Sequence, residues 1–192
     1  MKKVESGIAV LALVIGCATA HANDFEASGI GGSWHPNSGE HRSIQMVSER
    51  VAIDIFEGKN YDRYYDTTVD FLFQNHGAAV SVNMAFPENA DGGDPDSQPH
   101  STSDFRFFRT SVDGRPVTAK RIVARRRLKS GVEYRALWIK RVSFKKGERK
   151  AVQVKYRSVP GNLAGVGWFA AYDFTGQNWS GKVKDIDVKK RN

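Results

Sequence analysis

Alternation with a period of two residues constrains this chain more than any other feature. Val51, Ile53 and Ile55 alternate with Ala52, Asp54 and Phe56, and Val69, Phe71 and Phe73 alternate with Thr68, Asp70 and Leu72. Val80, Val82, Met84 and Phe86 repeat the pattern, as do Val152, Val154 and Tyr156 among Gln153, Lys155 and Arg157. Successive side chains of a strand point to opposite faces, so each run offers an apolar face to a core and a polar face to water. Trp138 falls on the apolar parity of Tyr134, Ala136, Val142 and Phe144, which places it in the core. Turn formers separate the runs at Asn75-His76-Gly77, Asp113-Gly114, Lys146-Gly147-Glu148 and Thr175-Gly176-Gln177-Asn178. Beyond residue 22 no window of twelve residues carries an i, i+3, i+4, i+7 apolar face. The pattern predicts an all-β chain and, from the strand spacing, a β-sandwich.

Two stretches lack the alternation. Residues 87–103 hold three prolines and many turn formers, and predict a long flexible loop. Residues 23–43 are Gly-rich, include Trp34, and predict a segment wrapping the edge of the sandwich.

The first 22 residues predict export. Lys2 and Lys3 precede an apolar run at 8–15, which is too short for a bilayer that needs roughly 20 apolar residues. Ala18, Ala20 and Ala22 then supply A-x-A cleavage patterns. Cleavage after Ala22 would leave one sandwich domain over 23–192. A second reading stays open, because Val14-Ile15-Gly16-Cys17 resembles a lipobox in which Cys17 is acylated. Cys17 is the single cysteine, so a chain cleaved after Ala22 has no disulfide, no Cys-ligated zinc and no thiol nucleophile. About 170 residues can bury roughly 70% of their unfolded surface without such a staple.

The net charge of +8 conceals a sorted distribution. Residues 23–96 carry thirteen acids against four bases, net −9, and residues 97–192 carry twenty-three bases against seven acids, net +16. The expected arrangement is one sandwich in which early and late strands lie side by side with opposite charges facing; the alternative is two domains of opposite sign. With export, the excess positive charge points to an anionic envelope polymer rather than to nucleic acid.

Candidates for chemistry are few. Asp91, Asp94 and Asp96 put three hard oxygen ligands in the long loop, a weak calcium candidate beside the simpler reading of a solvated acidic turn. His35 and His41 lack a helical metal spacing, and neither a G-x-S-x-G elbow nor an H-E-x-x-H motif occurs. Asp54 and Asp70 fall on the polar parity of their strands, where pairing with bases of late strands is the simplest role. Arg125, Arg126 and Arg127 are the densest positive run, read either as a charged edge or as a contact for an anionic polymer. Trp34 and Trp168 are the candidates for an exposed stacking platform, Trp168 because Phe169 beside it must point to the other face. No cofactor is implied.

The Gly-rich GIGG stretch, IQMVSERVAIDI, FLFQN, the V-x-V-N-M-A-F-P strand, VDGRPV and VSFKKGERKAVQVKY together resemble an uncharacterised family of bacterial secreted proteins known only as a domain of unknown function. The resemblance covers most of residues 23–192. It implies an antiparallel Ig-like β-sandwich and export, and carries over no catalytic or binding residue. Two function classes follow. One is a non-catalytic binding or structural module of the envelope, in the periplasm or outside the cell, whose partner is an anionic polymer or another envelope protein, with membrane contact only through a lipid on Cys17. The other is a hydrolase acting on an envelope or extracellular polymer. The absence of a catalytic constellation favours the first, and no catalytic residue is assigned.

Overall fold

The computed structural model describes residues 25–30, 33–36, 41–57, 63–89, 105–123, 134–159, 161–163, 167–169, 172, 179–180 and 185–191. These include thirteen strands: β1 (Phe25–Ile30), β2 (Ser33–Pro36), β3 (Ile44–Glu57), β4 (Arg63–Asn75), β5 (Val80–Asn89), β6 (Phe107–Val112), β7 (Arg115–Val117), β8 (Lys120–Val123), β9 (Tyr134–Phe144), β10 (Arg149–Ser158), β11 (Gly161–Leu163), β12 (Gly167–Phe169) and β13 (Asp185–Arg191). The described residues form no helix.

A five-stranded sheet runs β2-β1-β5-β9-β8, a six-stranded sheet runs β13-β3-β4-β10-β6-β7, and β11 pairs with β12. Pairing is antiparallel throughout except at one edge, where β13 runs parallel to β3. The two large sheets contribute to one buried cluster. Val51, Val69, Phe71, Phe73, Val152 and Val154 come from the six-stranded sheet; Val82, Met84, Phe86, Val142 and Phe144 come from the five-stranded sheet. These are the apolar members of the period-two runs, so the all-β, sandwich-like layout follows from the alternation. Strands of the acidic and basic halves share both sheets: β3 and β4 lie between β13 and β10, and in the other sheet β5 of the acidic half pairs with β9 of the basic half.

Three local features depart from simple alternation. A bulge in β3 between Met46 and Ser48 switches the inward parity from even to odd, so Ile44 and Met46 point inward and then Glu49, Val51 and Ile53. The strand expected to end at Pro87 continues to Asn89. Pro87 lacks an N–H, but among the described residues β1 pairs with β5 only at Met84 and Ala85, and β9 alone accompanies Pro87. Residues 90–104, the rest of the predicted loop, lie outside the described residues.

The third feature is charge in the interior. Glu49, Glu88 and Lys140 are each at most 2% exposed and share the inward parity of their strands. Glu88 accepts hydrogen bonds from Arg121 Nε at 2.9 Å, Arg121 Nη2 at 2.8 Å and Trp138 Nε1 at 2.8 Å. Tyr172 donates its hydroxyl to Glu49 Oε1 at 2.7 Å. Trp138 stacks on Phe108 with centroids 4.5 Å apart, so its indole packs on the core while its N–H serves the carboxylate. That dual role satisfies the sequence expectation for Trp138 and adds a polar duty to it.

At the opposite end, Asn75 is fully buried and ties the β4–β5 turn to the β9–β10 turn. It donates to Ala78 O at 2.7 Å and Lys145 O at 3.0 Å, and accepts from the Gly77 amide at 3.0 Å. Trp179 closes this end, edge-on to Phe73 at 5.0 Å. The Asp113-Gly114 hairpin has φ of 50° and 75°, the doubly left-handed form that two-residue loops with Asp-Gly favour.

Candidate binding face

The outward parity of the six-stranded sheet carries side chains that alternation assigns to water, yet several are aromatic. In β3, Ile53 and Ile55 face inward, which turns Phe56 outward, where it is 39% exposed. Register places Phe56 opposite Tyr64 on one line and, two positions along β4, Asp66 opposite Arg157 and Arg157 opposite Phe107 on the next, so the row of side chains steps from one line to the other as it crosses four strands. Strands spaced ~4.8 Å apart give this row a length of roughly 14 Å.

Arg157 organises the row. Its Nε and Nη2 donate to the two oxygens of Asp66 at 2.6 and 2.8 Å, a bidentate pair that fixes the guanidinium plane. The guanidinium carbon lies 4.2 Å from the Tyr64 centroid and 5.4 Å from that of Phe107. The hydrogen bond that Arg157 donates to Asp66 outweighs desolvation and pushes the Arg157 pKa further up, so its charge is permanent at any physiological pH. Phe56 stacks on Tyr64 at 5.1 Å. Arg106 lies 5.9 Å from Tyr64, and Arg109 lies 5.5 Å from Phe107. Val159, 51% exposed, follows Ser158, whose partner is Tyr65, so exposed apolar surface continues at the same end. The result is a face of rings interleaved with cations, of which Arg157 is fixed by Asp66.

A concavity lies at the other end. A shallow cleft of about 400 Å³ is lined by Ala79, Val80, Ser81, Ser143, Lys145, Glu148 and Lys150, among others. Its two serine hydroxyls bond each other at 2.7 Å, and Lys150 is held by Asp113 at 3.0 Å and Glu148 at 3.1 Å. Hydrogen bonding to Asp113 raises the Lys150 pKa, so Lys150 is a structural cation and not a base. Burial pushes the Asp113 carboxyl up, but hydrogen bonds from Lys150 and the Ala151 amide, with the charges of Lys150 and Arg115, bring it below the ordinary value of 3.8.

The sequence-derived site residues fare as follows. Arg125, Arg126 and Arg127, between β8 and β9, lie outside the described residues, as do Asp91, Asp94, Asp96 and Cys17. Trp34 belongs to β2 at the edge of the five-stranded sheet and Trp168 pairs with Asn162 in β12; both side chains lie outside the description. Asp70 points outward and accepts from Gln153 of β10 at 2.7 Å, a late-strand partner that is neutral instead of basic. Asp54 stands in the register between Asp66 of β4 and Arg191 of the late strand β13, and Asp66 takes a second late-strand arginine, Arg157 of β10. Among the described residues no group of three His, Cys, Asp or Glu could hold a metal ion. The aromatic row was missed because its members are 40 or more residues apart between early and late strands; the available signal was Phe56, an aromatic on the polar parity.

Fold and face together define an all-β protein of two packed sheets with an exposed aromatic–cationic surface. No family model matches the chain, and no curated protein matches it. Among solved structures, it is similar to a "putative nutrient binding protein" from Legionella pneumophila, with a TM-score of 0.51 and 20% identity, over 63% of this chain and 41% of that one. The chain thus spans less than half of that protein, and the likeness is one of fold.

Proposed function

We propose that this chain is an exported, non-catalytic module of the bacterial envelope, an Ig-like sandwich that binds an anionic envelope polymer across its six-stranded sheet. The observation that carries this reading is the row Phe56–Tyr64–Arg157–Phe107, in which rings and a fixed guanidinium share one exposed face. Flat faces of this kind suit an extended polymer, whereas small ligands favour enclosed pockets. The nutrient-binding description of the Legionella protein agrees with a binding role. Asp66 and Glu88 are each engaged by an arginine, which suits a structural role better than proton transfer. Residues 1–22 then act as the export signal, with Cys17 either removed or acylated.

Affinity electrophoresis of the mature chain in gels cast with polygalacturonate, a soluble anionic polysaccharide, tests the binding role. The wild type is expected to be retarded, and Phe56→Ala/Phe107→Ala to lose retardation while its thermal transition persists. Equal retardation of both proteins, or of neither, refutes the role assigned to this face. Mass spectrometry of the exported chain reads the other half: a start at Asn23 or an acylated Cys17 supports export, and an intact Met1 contradicts it.

A further inference from the structure

We infer that Lys155 and Arg109 form a subsite for the carboxylate of a sugar in the polymer, which makes this face selective for acidic polysaccharide; the inference rests on the binding role proposed above. Lys155 of β10 stands directly opposite Arg109 of β6 in the register, and both are exposed. Like charges directly opposite on one sheet face destabilise it, so the arrangement costs stability unless an anion lies between them. Residues opposite each other have Cβ atoms ~4.5–5.5 Å apart, within reach of the two oxygens of one carboxylate.

Among the described residues nothing on the same row supplies that anion. On the other side of Lys155 stand Thr68 and then Ala52, both small and uncharged. The neighbouring rows do contain acids, but these are committed: Asp66 to Arg157 and Asp70 to Gln153. Among the described residues neither Lys155 nor Arg109 belongs to an ion pair. Thr68 and Ala52 leave a low floor beside the two cations, and Phe107 borders it, flanked by Arg109 at 5.5 Å and Arg157 at 5.4 Å. A ring next to a cation pair on a flat surface fits a pyranose that carries its charge on the ring substituent. The sugar stacks on Phe107 while its carboxylate spans Lys155 and Arg109. A membrane headgroup layer would use the cations but not the rings. Single-stranded nucleic acid would use both, and is the competitor the experiment must separate.

Affinity electrophoresis of the full mature chain compares polygalacturonate with its methyl ester, which keeps the backbone and removes the charge, and with polyphosphate and oligo(dT). The expected result is binding to polygalacturonate about tenfold tighter than to the ester, as charge-assisted hydrogen bonds allow. Lys155→Gln/Arg109→Gln should bring polygalacturonate down to the level of the ester and leave ester binding unchanged. Lys120→Gln/Lys146→Gln, the same charge change on other exposed positions, should leave the preference intact. Binding of acid and ester with equal affinity overturns the subsite while leaving the binding role standing. So does an equal loss in the Lys120/Lys146 control, or tighter binding of polyphosphate or oligo(dT). Retention of neither polygalacturonate nor its ester removes both the subsite and the binding role.

Discussion

Gly77 gives the sharpest test of how the end of the fold is held. A Cβ built there would lie 2.6 Å from Ser43 Cβ and 3.0 Å from Ser43 Oγ. Ordinary carbon–carbon contact is about 3.5–4.0 Å, so Gly77→Ala demands a displacement of about 1 Å or more. Ser43 cannot simply retreat. Its carbonyl accepts from the His76 amide at 2.8 Å, and its own amide donates to His41 Nδ1 at 3.1 Å. Gly77 is itself tied to Asn75 through its amide. Overpacking costs about 1–3 kcal/mol, and a clash between two tethered segments belongs toward the upper part of that range. Against a domain stability of about 5–15 kcal/mol that is a large loss, visible as a lower urea midpoint at unchanged m-value. The double variant Ser43→Gly/Gly77→Ala removes the atom that is struck, and a double-mutant cycle should return a favourable coupling of at least about 1 kcal/mol. A cost for Gly77→Ala below about 0.5 kcal/mol, or additive single and double variants, would refute the steric account.

Other outcomes follow from the buried and paired charges. Arg121→Met takes the guanidinium from a fully buried carboxylate; with Arg121 itself 14% exposed, the loss should be near 3 kcal/mol in chemical denaturation, and smaller if accompanied by Glu88→Gln. Lys150→Met should flatten the pH dependence of stability. Hydrogen bonds and charge hold Asp113 and Glu148 below their ordinary values, so their contribution is present above about pH 4.5 and disappears as pH falls through the lowered values. Lys150 is raised, so its contribution is complete below pH 10.5 and disappears as pH rises past its raised value. Wild type and variant should therefore differ most in Tm between those limits and converge outside them; a constant difference from pH 3 to 11 contradicts the pairing. Thr67 is 1% exposed and its hydroxyl has no hydrogen-bond partner in the structure, so Thr67→Val should raise stability by about 1 kcal/mol, and a lower Tm would show the hydroxyl to be satisfied.

What the sequence discloses here depends on how far apart partners lie. The strands β3, β4, β5 and β10 are legible because alternation is a local property of neighbouring residues. The switch of parity at Met46/Ser48 is not, since a bulge adds one residue without a marker. Glu88 looks like part of an acidic, Pro-rich loop until Arg121, 33 positions away, and Trp138, 50 positions away, are brought to it. The same holds for the candidate face. Charge density along the chain selects Arg125–Arg127, whereas Arg109, Lys155 and Arg157 become neighbours only when β6 pairs with β10. Opposite charge between early and late strands was an expectation of composition alone, and Asp66–Arg157 realises it.

The parallel edge also sets an order of events in time. β3 can pair with β4 soon after synthesis, but its other neighbour is β13, where Asp185 meets Ser48 from 137 positions further along the chain. Until that strand arrives, one side of β3 presents an open row of amides and carbonyls to any passing chain. Closure at such sequence separation is slow, and the waiting species is the one at risk of adding a strand from a second molecule. A chaperone that occupies the β3 edge would shorten that exposure without touching the finished protein.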